Sequence, residues 1–149
     1  MKKQDRDLAN NRRAYFDYEI TETIEAGMVL KGTEIKSMRQ NGASLQESYV
    51  RVFESELWLI GAYIAPYDFG NVFNHDERRD RKLLVHKREL KKIQKAVQEK
   101  GMTLVALCIY LKSGKAKVKL GIARGRKNVD KRAHIKEREQ KRQMKKFLD

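Results

Sequence analysis

Apolar and polar positions divide the chain into short alternating runs, one clear helical run, and a final stretch with almost no apolar face. Residues 15–20 alternate, with Phe16, Tyr18 and Ile20 on one side at a period of two, which predicts a strand. Met28-Val29-Leu30 after Gly27 reads as a second strand. Residues 33–39 fit one short helix capped by Thr33, with Ile35 and Met38 inward and Asn41-Gly42 as its stop. Residues 48–53 and 57–64 alternate on either side of Glu54-Ser55-Glu56, the pattern of a hairpin. A glycine-containing loop over residues 67–80 precedes the short apolar piece Lys82-Leu83-Leu84-Val85, where periodicity alone assigns Leu84 to the core. Residues 87–100 predict a helix, because Leu90, Ile93 and Val97 fall at i, i+3 and i+7 and Gly101 follows as a stop. Residues 102–111 are nearly continuously apolar, as in a strand buried on both faces. After the turn Lys112-Ser113-Gly114-Lys115, residues 116–123 alternate: Val118, Leu120 and Ile122 inward, Lys117 and Lys119 outward.

About six short strands with one solid and one short helix predict a mainly β fold, an OB-like closed antiparallel barrel over residues 1–123. Residues 1–12 are polar and are expected to be mobile at their start. Residues 124–149 form a separate basic tail with 11 Lys/Arg against 4 Asp/Glu, half of the net charge of +14 carried by the 149-residue chain. Its few large apolar residues, among them Val129, Ile135 and Phe147, cannot cover a core. Beyond Asp130 it is rich in helix formers, but Arg138–Arg142, Lys141–Lys145 and Arg142–Lys146 place like charges at i, i+4. The expectation is a tail disordered alone and helical once phosphates neutralise it, reaching about 30 Å over its last turns.

Both parts are basic, which points to a polyanion, with nucleic acid favoured over a membrane surface. No amphipathic membrane helix, spanning segment or secretory signal is visible, so a cytoplasmic monomer is the expectation. The one cysteine, Cys108, excludes an internal disulfide and reads as a small buried hydrophobe. His75, His86 and His134 are too widely spaced for a local metal motif, and no phosphate-cradling loop or nucleophile elbow occurs. No metal, cofactor or catalytic residue is therefore expected. A nuclease built on Asp76, Glu77 and Asp80 is the minority alternative, since Arg78, Arg79 and Arg81 interleave with those acids and suggest a salt-bridged loop. The candidate RNA contacts are the amides and guanidiniums of Asn11, Arg12 and Arg13, and a phosphate track from Arg81, Lys82, Lys117 and Lys119. Tyr15, Trp58 and Tyr63 read as core or barrel-surface residues rather than stacking platforms.

Five runs appear in order over residues 11–139: NRRAYFDYEI, EAGMVLKGTEIKSMR, ERRDRKLLVHKREL, LCIYLKSGKAKVKLGIARG and DKRAHIKERE. Through them the chain resembles the small protein B family, the bacterial SsrA-binding proteins that partner transfer-messenger RNA. The resemblance implies an OB-like barrel that binds the tRNA-like domain of that RNA and delivers it to stalled ribosomes. It assigns RNA support to Asn11, Glu25 and Leu84. It also implies a tail that enters the decoding centre of the small ribosomal subunit. There Gly125, Arg126, Lys127, Asp130, Lys131 and Arg132 match one family stretch, and Ile135, Lys136 and Arg138 fall in a second. Many members carry His or Tyr just before the DKR run; here that place is Val129. A generic ribosome-associated RNA-binding barrel is the alternative.

Overall fold

The computed structural model describes residues 7–68 and 74–126, together with Arg132, Glu139, Gln140 and Arg142. Seven strands form one antiparallel sheet: β1 (Asp7–Asn10), β2 (Tyr18–Met28), β3 (Tyr49–Phe53), β4 (Glu56–Ile60), β5 (Arg81–Leu84), β6 (Thr103–Lys112) and β7 (Lys115–Gly125). Their order is β1-β6-β7-β2-β5-β4-β3. Within residues 7–68 and 74–126 three helices accompany them: α1 (Arg12–Asp17), α2 (Gly32–Asn41) and α3 (Lys87–Lys100).

Local sequence accounts for much of this. The β3–β4 hairpin closes through Glu54 and Ser55, both at positive φ (50° and 61°), which matches the twist of antiparallel strands. The β6–β7 hairpin closes the same way through Ser113 and Gly114. Helix α3 has the expected bounds, buries Ile93 and Ala96, and ends at Gly101 in the left-handed conformation. Leu104, Val105, Ala106 and Leu107 are all buried, as the continuous apolar run requires. Along β7, Val118, Leu120 and Ile122 enter the core as the alternation predicts.

Elsewhere tertiary contacts overrule the pattern. Residues 15–17 are not strand but the end of α1. The Asn11 backbone N–H donates to the Leu107 carbonyl at 2.8 Å, and its Nδ2 donates to the Ala106 carbonyl at 3.0 Å. This seats a helical turn over β6 and buries Ala14 among Val105, Leu107 and Ala123. Of the strand inferred at residues 28–30 only Met28 is strand, the last residue of β2, a longer strand whose inward residues are Ile24, Ala26 and Met28. Asp7–Asn10, within the polar residues 1–12 for which no strand is expected, pairs with β6 as an edge strand. Thr33 does not cap α2; the helix begins at Gly32, with the Lys31 N–H donating to Glu34 Oε1, while Thr33 Oγ1 bonds His75 Nδ1 at 3.0 Å. Finally, β7 runs two residues past Ala123, the end of the expected alternation. Arg126 is then tied down by its N–H to the Asp17 carbonyl (2.8 Å) and its Nε to the Tyr18 carbonyl (3.2 Å).

Candidate nucleic-acid interface

Strand pairing decides which candidate residues meet. Glu25 lies opposite Lys119, and Gly27 lies opposite both Lys117 on one side and Leu84 on the other. Paired residues share a face, so Glu25, Leu84, Lys117 and Lys119 all stand on the outer side of the sheet. Gly27 leaves a gap there: a β-carbon at this position would sit 3.7 Å from Leu84 Cβ and 3.9 Å from Lys117 Nζ. Leu84 is 54% exposed, not core. Its neighbour Leu83 takes the inward place opposite Met28 and Leu57, and two adjacent strand residues cannot share a face.

Three further side chains join this face: Cys108, Tyr110 and Lys112. The Tyr110 hydroxyl donates to Glu25 Oε2, and Lys112 Nζ lies 3.5 Å from Glu25 Oε1. The Tyr110 bond, joined by Lys112 and Lys117 and opposed by slight burial, holds the Glu25 carboxyl below its ordinary range. The Tyr110 phenol is pushed up, first by burial and then by the anionic Glu25. Cys108 is half-buried rather than buried; desolvation and Asp7 raise its thiol, with Lys119 opposing, so it remains protonated. The period-two order Cys108, Tyr110, Lys112 was the signal for these residues, hidden because it closes a nearly unbroken apolar run.

The other candidates divide. Lys82 is outward, next to Leu84 on β5, and ion-paired with Glu56. Arg81 is fully buried: its Nε donates to Glu34 Oε2 at 2.6 Å and its Nη1 to the Ala62 carbonyl at 2.6 Å. That corrects its assignment to a phosphate track, because its guanidinium is enclosed and satisfied. Arg79 and Arg81 reach Glu34 rather than the loop's own acids, with Arg79 Nη2 at 2.5 Å from Glu34 Oε1, while Arg78 Nη1 donates to the Gly61 carbonyl. Among the described residues no group of His, Cys, Asp and Glu is placed to hold a metal ion. Asn11, Arg12 and Arg13 lie apart from the Glu25 face, at the end of β1 and the start of α1. Asn11 and Arg13 line a different groove, with Asp17, Tyr18 and Tyr49.

Of the tail candidates, Gly125 ends β7, Arg126 is anchored as above, and Arg132 is helical and exposed. Lys127, Asp130, Lys131, Ile135, Lys136 and Arg138, together with Val129 and the expectation of a tail that folds on binding, lie outside the described residues. Among the described residues no helix is long and apolar enough to cross a membrane.

Known proteins resemble this chain over nearly its whole length. The SsrA-binding protein of Protochlamydia amoebophila is 60% identical over 148 residues, covering 99% of this chain and 97% of the relative. That of Chlamydia pneumoniae is 51% identical over 139 residues, covering 93% and 92%. A solved chain described under "tmRNA-SmpB: a journey to the center of the bacterial ribosome" superposes with a TM-score of 0.66 at 48% identity, covering 85% of this chain and 92% of that one. A family model described as "SmpB protein" matches residues 8–149, from the β1 edge through the basic tail, and the chain accordingly belongs to the SmpB family.

Proposed function

We propose that this chain is an RNA-binding adaptor of ribosome rescue. It binds the tRNA-like domain of transfer-messenger RNA and carries that RNA to ribosomes stalled without a codon in the A site. The stalled chain is then tagged for degradation. The protein acts by binding and placement, in the cytoplasm and as a monomer, without catalysis. The observation that carries this reading is the meeting of Glu25, Leu84, Lys117 and Lys119 on one outer face, where an exposed leucine stands across Gly27 from Lys117 and Lys119 stands opposite Glu25. That mixture suits folded RNA, which offers phosphates, unstacked bases and 2′-hydroxyls together. Membership of the SmpB family supports the same partner.

The sheet is taken to curl into an OB-like barrel; β3 approaches β6, far from it in the strand order, which favours that closure. The folded body, ending near Arg126, holds the transfer-messenger RNA, with Asn11, Arg12, Arg13 and Lys82 as outlying contacts. The basic segment beyond it, including Lys127, Asp130, Lys131, Arg132, Ile135, Lys136 and Arg138, probes the decoding centre of the small subunit.

The test is a pair of titrations of the full chain, one with the tRNA-like domain and one with unstructured RNA of equal length. Preference for the folded RNA is expected; equal affinity would reduce the protein to a generic RNA binder. Truncation after Arg126 is expected to preserve that affinity and abolish tagging of stalled chains. Loss of both together would end the two-part division.

A further inference from the structure

Glu25 poses a problem for a face that binds RNA. An ionised carboxylate among phosphate-binding lysines repels the backbone unless the RNA presents donors to it. Two features keep it ionised and fixed. Its Oε2 accepts from the Tyr110 hydroxyl, and Lys112, Lys117 and Lys119 surround it. Its Oε1 meets Lys112 Nζ at 3.5 Å, the outer limit of a hydrogen bond, so its lone pairs are open to a better donor. The carboxylate stands in a groove of about 470 Å³ lined by Asp7, Thr23, Cys108, Tyr110, Lys112 and Lys119. That is room for a nucleobase.

We propose that this groove between β2, β6 and β7 receives one unpaired guanosine of the bound RNA, with Glu25 accepting from the base and Tyr110 acting as the positioning residue for that carboxylate. This rests on the adaptor reading above and deepens it. The base follows from donor geometry. Guanine carries two adjacent donors on its Watson–Crick edge, N1–H and N2–H, which match a carboxylate. In adenine and cytosine the amino group adjoins a ring nitrogen acceptor, and in uracil the single N–H lies between two carbonyls; each places a lone pair against the anion. Lys112 and Lys119, at the groove's sides, take the phosphates of the flipped nucleotide. Tyr110 donates to Oε2 and so fixes the carboxylate while Oε1 is held only by Lys112, 61% exposed, at 3.5 Å.

The experiment uses the full chain and the tRNA-like domain of transfer-messenger RNA, with each unpaired guanosine replaced singly by inosine, which lacks the N2 amine. At one position the replacement is expected to weaken binding roughly tenfold, the loss of a hydrogen bond to a charged group. Tyr110→Phe keeps the ring, and a melting curve checks its fold. In that variant the inosine penalty shrinks toward nothing. Lys112→Ala, at an exposed site, lowers affinity for every RNA while leaving the inosine penalty in place. The proposal is overturned if no inosine position weakens binding, if the penalty is the same in Tyr110→Phe, or if 2′-deoxy replacement produces the loss instead. Failure of the unmodified RNA to bind the wild-type chain would overturn the adaptor reading with it.

Discussion

Glu34 of α2 and Arg81 of β5 form a fully enclosed ion pair, Nε to Oε2 at 2.6 Å, with neither side chain exposed. Its remaining valences are met: Arg79 and the Lys31 N–H bond Glu34 Oε1, and the Ala62 and Glu77 carbonyls accept from Arg81. The pair ties α2 and the segment after β4 to the strand that carries Leu84. Arg81→Met leaves a buried carboxylate short of its partner and is expected to lower stability by about 3–5 kcal/mol. Urea melts measure this, and the double variant with Glu34→Gln is expected to recover part of the loss. RNA affinity of the folded variant is expected to match wild type, because the pair does not reach the outer face.

The same carboxylate gives the fold an acid dependence. Burial pushes the Glu34 carboxyl up, but the bonds from Arg79, the Lys31 N–H and Arg81 outweigh it, so it rests below the ordinary value of 4.5. A folded value lower than the unfolded one means the contribution is complete above pH 4.5 and is lost as the pH falls through the folded value. Urea melts on both sides of that point are expected to show stability falling with acid, and falling less in Glu34→Gln. Stability that rose on acidification would contradict the sign.

Leu84 is more than half exposed, so its truncation removes little buried area. Leu84→Ala is expected to change stability by less than about 0.5 kcal/mol and to weaken binding of the tRNA-like domain. A melting curve beside a titration separates the two effects; a destabilised variant with intact affinity would return Leu84 to the core.

Lys117 and Lys119 are half-buried on the outer face, opposite Gly27 and Glu25, and Lys119 lines the groove. Replacing both with alanine is expected to weaken RNA binding and to flatten the logarithmic salt dependence by about one for each phosphate contact removed. An unchanged slope would remove them from the contact surface.

Legibility followed the range of the determining forces. The β3–β4 hairpin, α3 and the inward set Val118, Leu120 and Ile122 were readable because turn chemistry, a helix stop and strand alternation act over a few residues. The helix α1 was not readable: its residues alternate like a strand, and only the docking of Asn11 onto the Ala106 and Leu107 carbonyls makes the turn favourable. In the site, Lys117 and Lys119 were legible as outward lysines. Arg81 and Lys82 looked alike in sequence, yet register sends one inward to Glu34 and the other outward to Glu56.

By itself the sequence determined the mainly β class, the long helix, the basic character of both parts and, through ordered motifs, the family. These rest on periodicity, composition and residue identity, which need no third dimension. Tertiary structure alone decided that Leu84 is exposed, that Arg81 is enclosed, and that Tyr110 grips Glu25. The reason is register: a one-residue shift in pairing exchanges the two faces of a strand, and register is set by partners distant in the chain, Gly27 for Leu84, Leu59 for Arg81 and, for the meeting of Tyr110 with Glu25, Lys119 on β7 opposite Glu25 on β2.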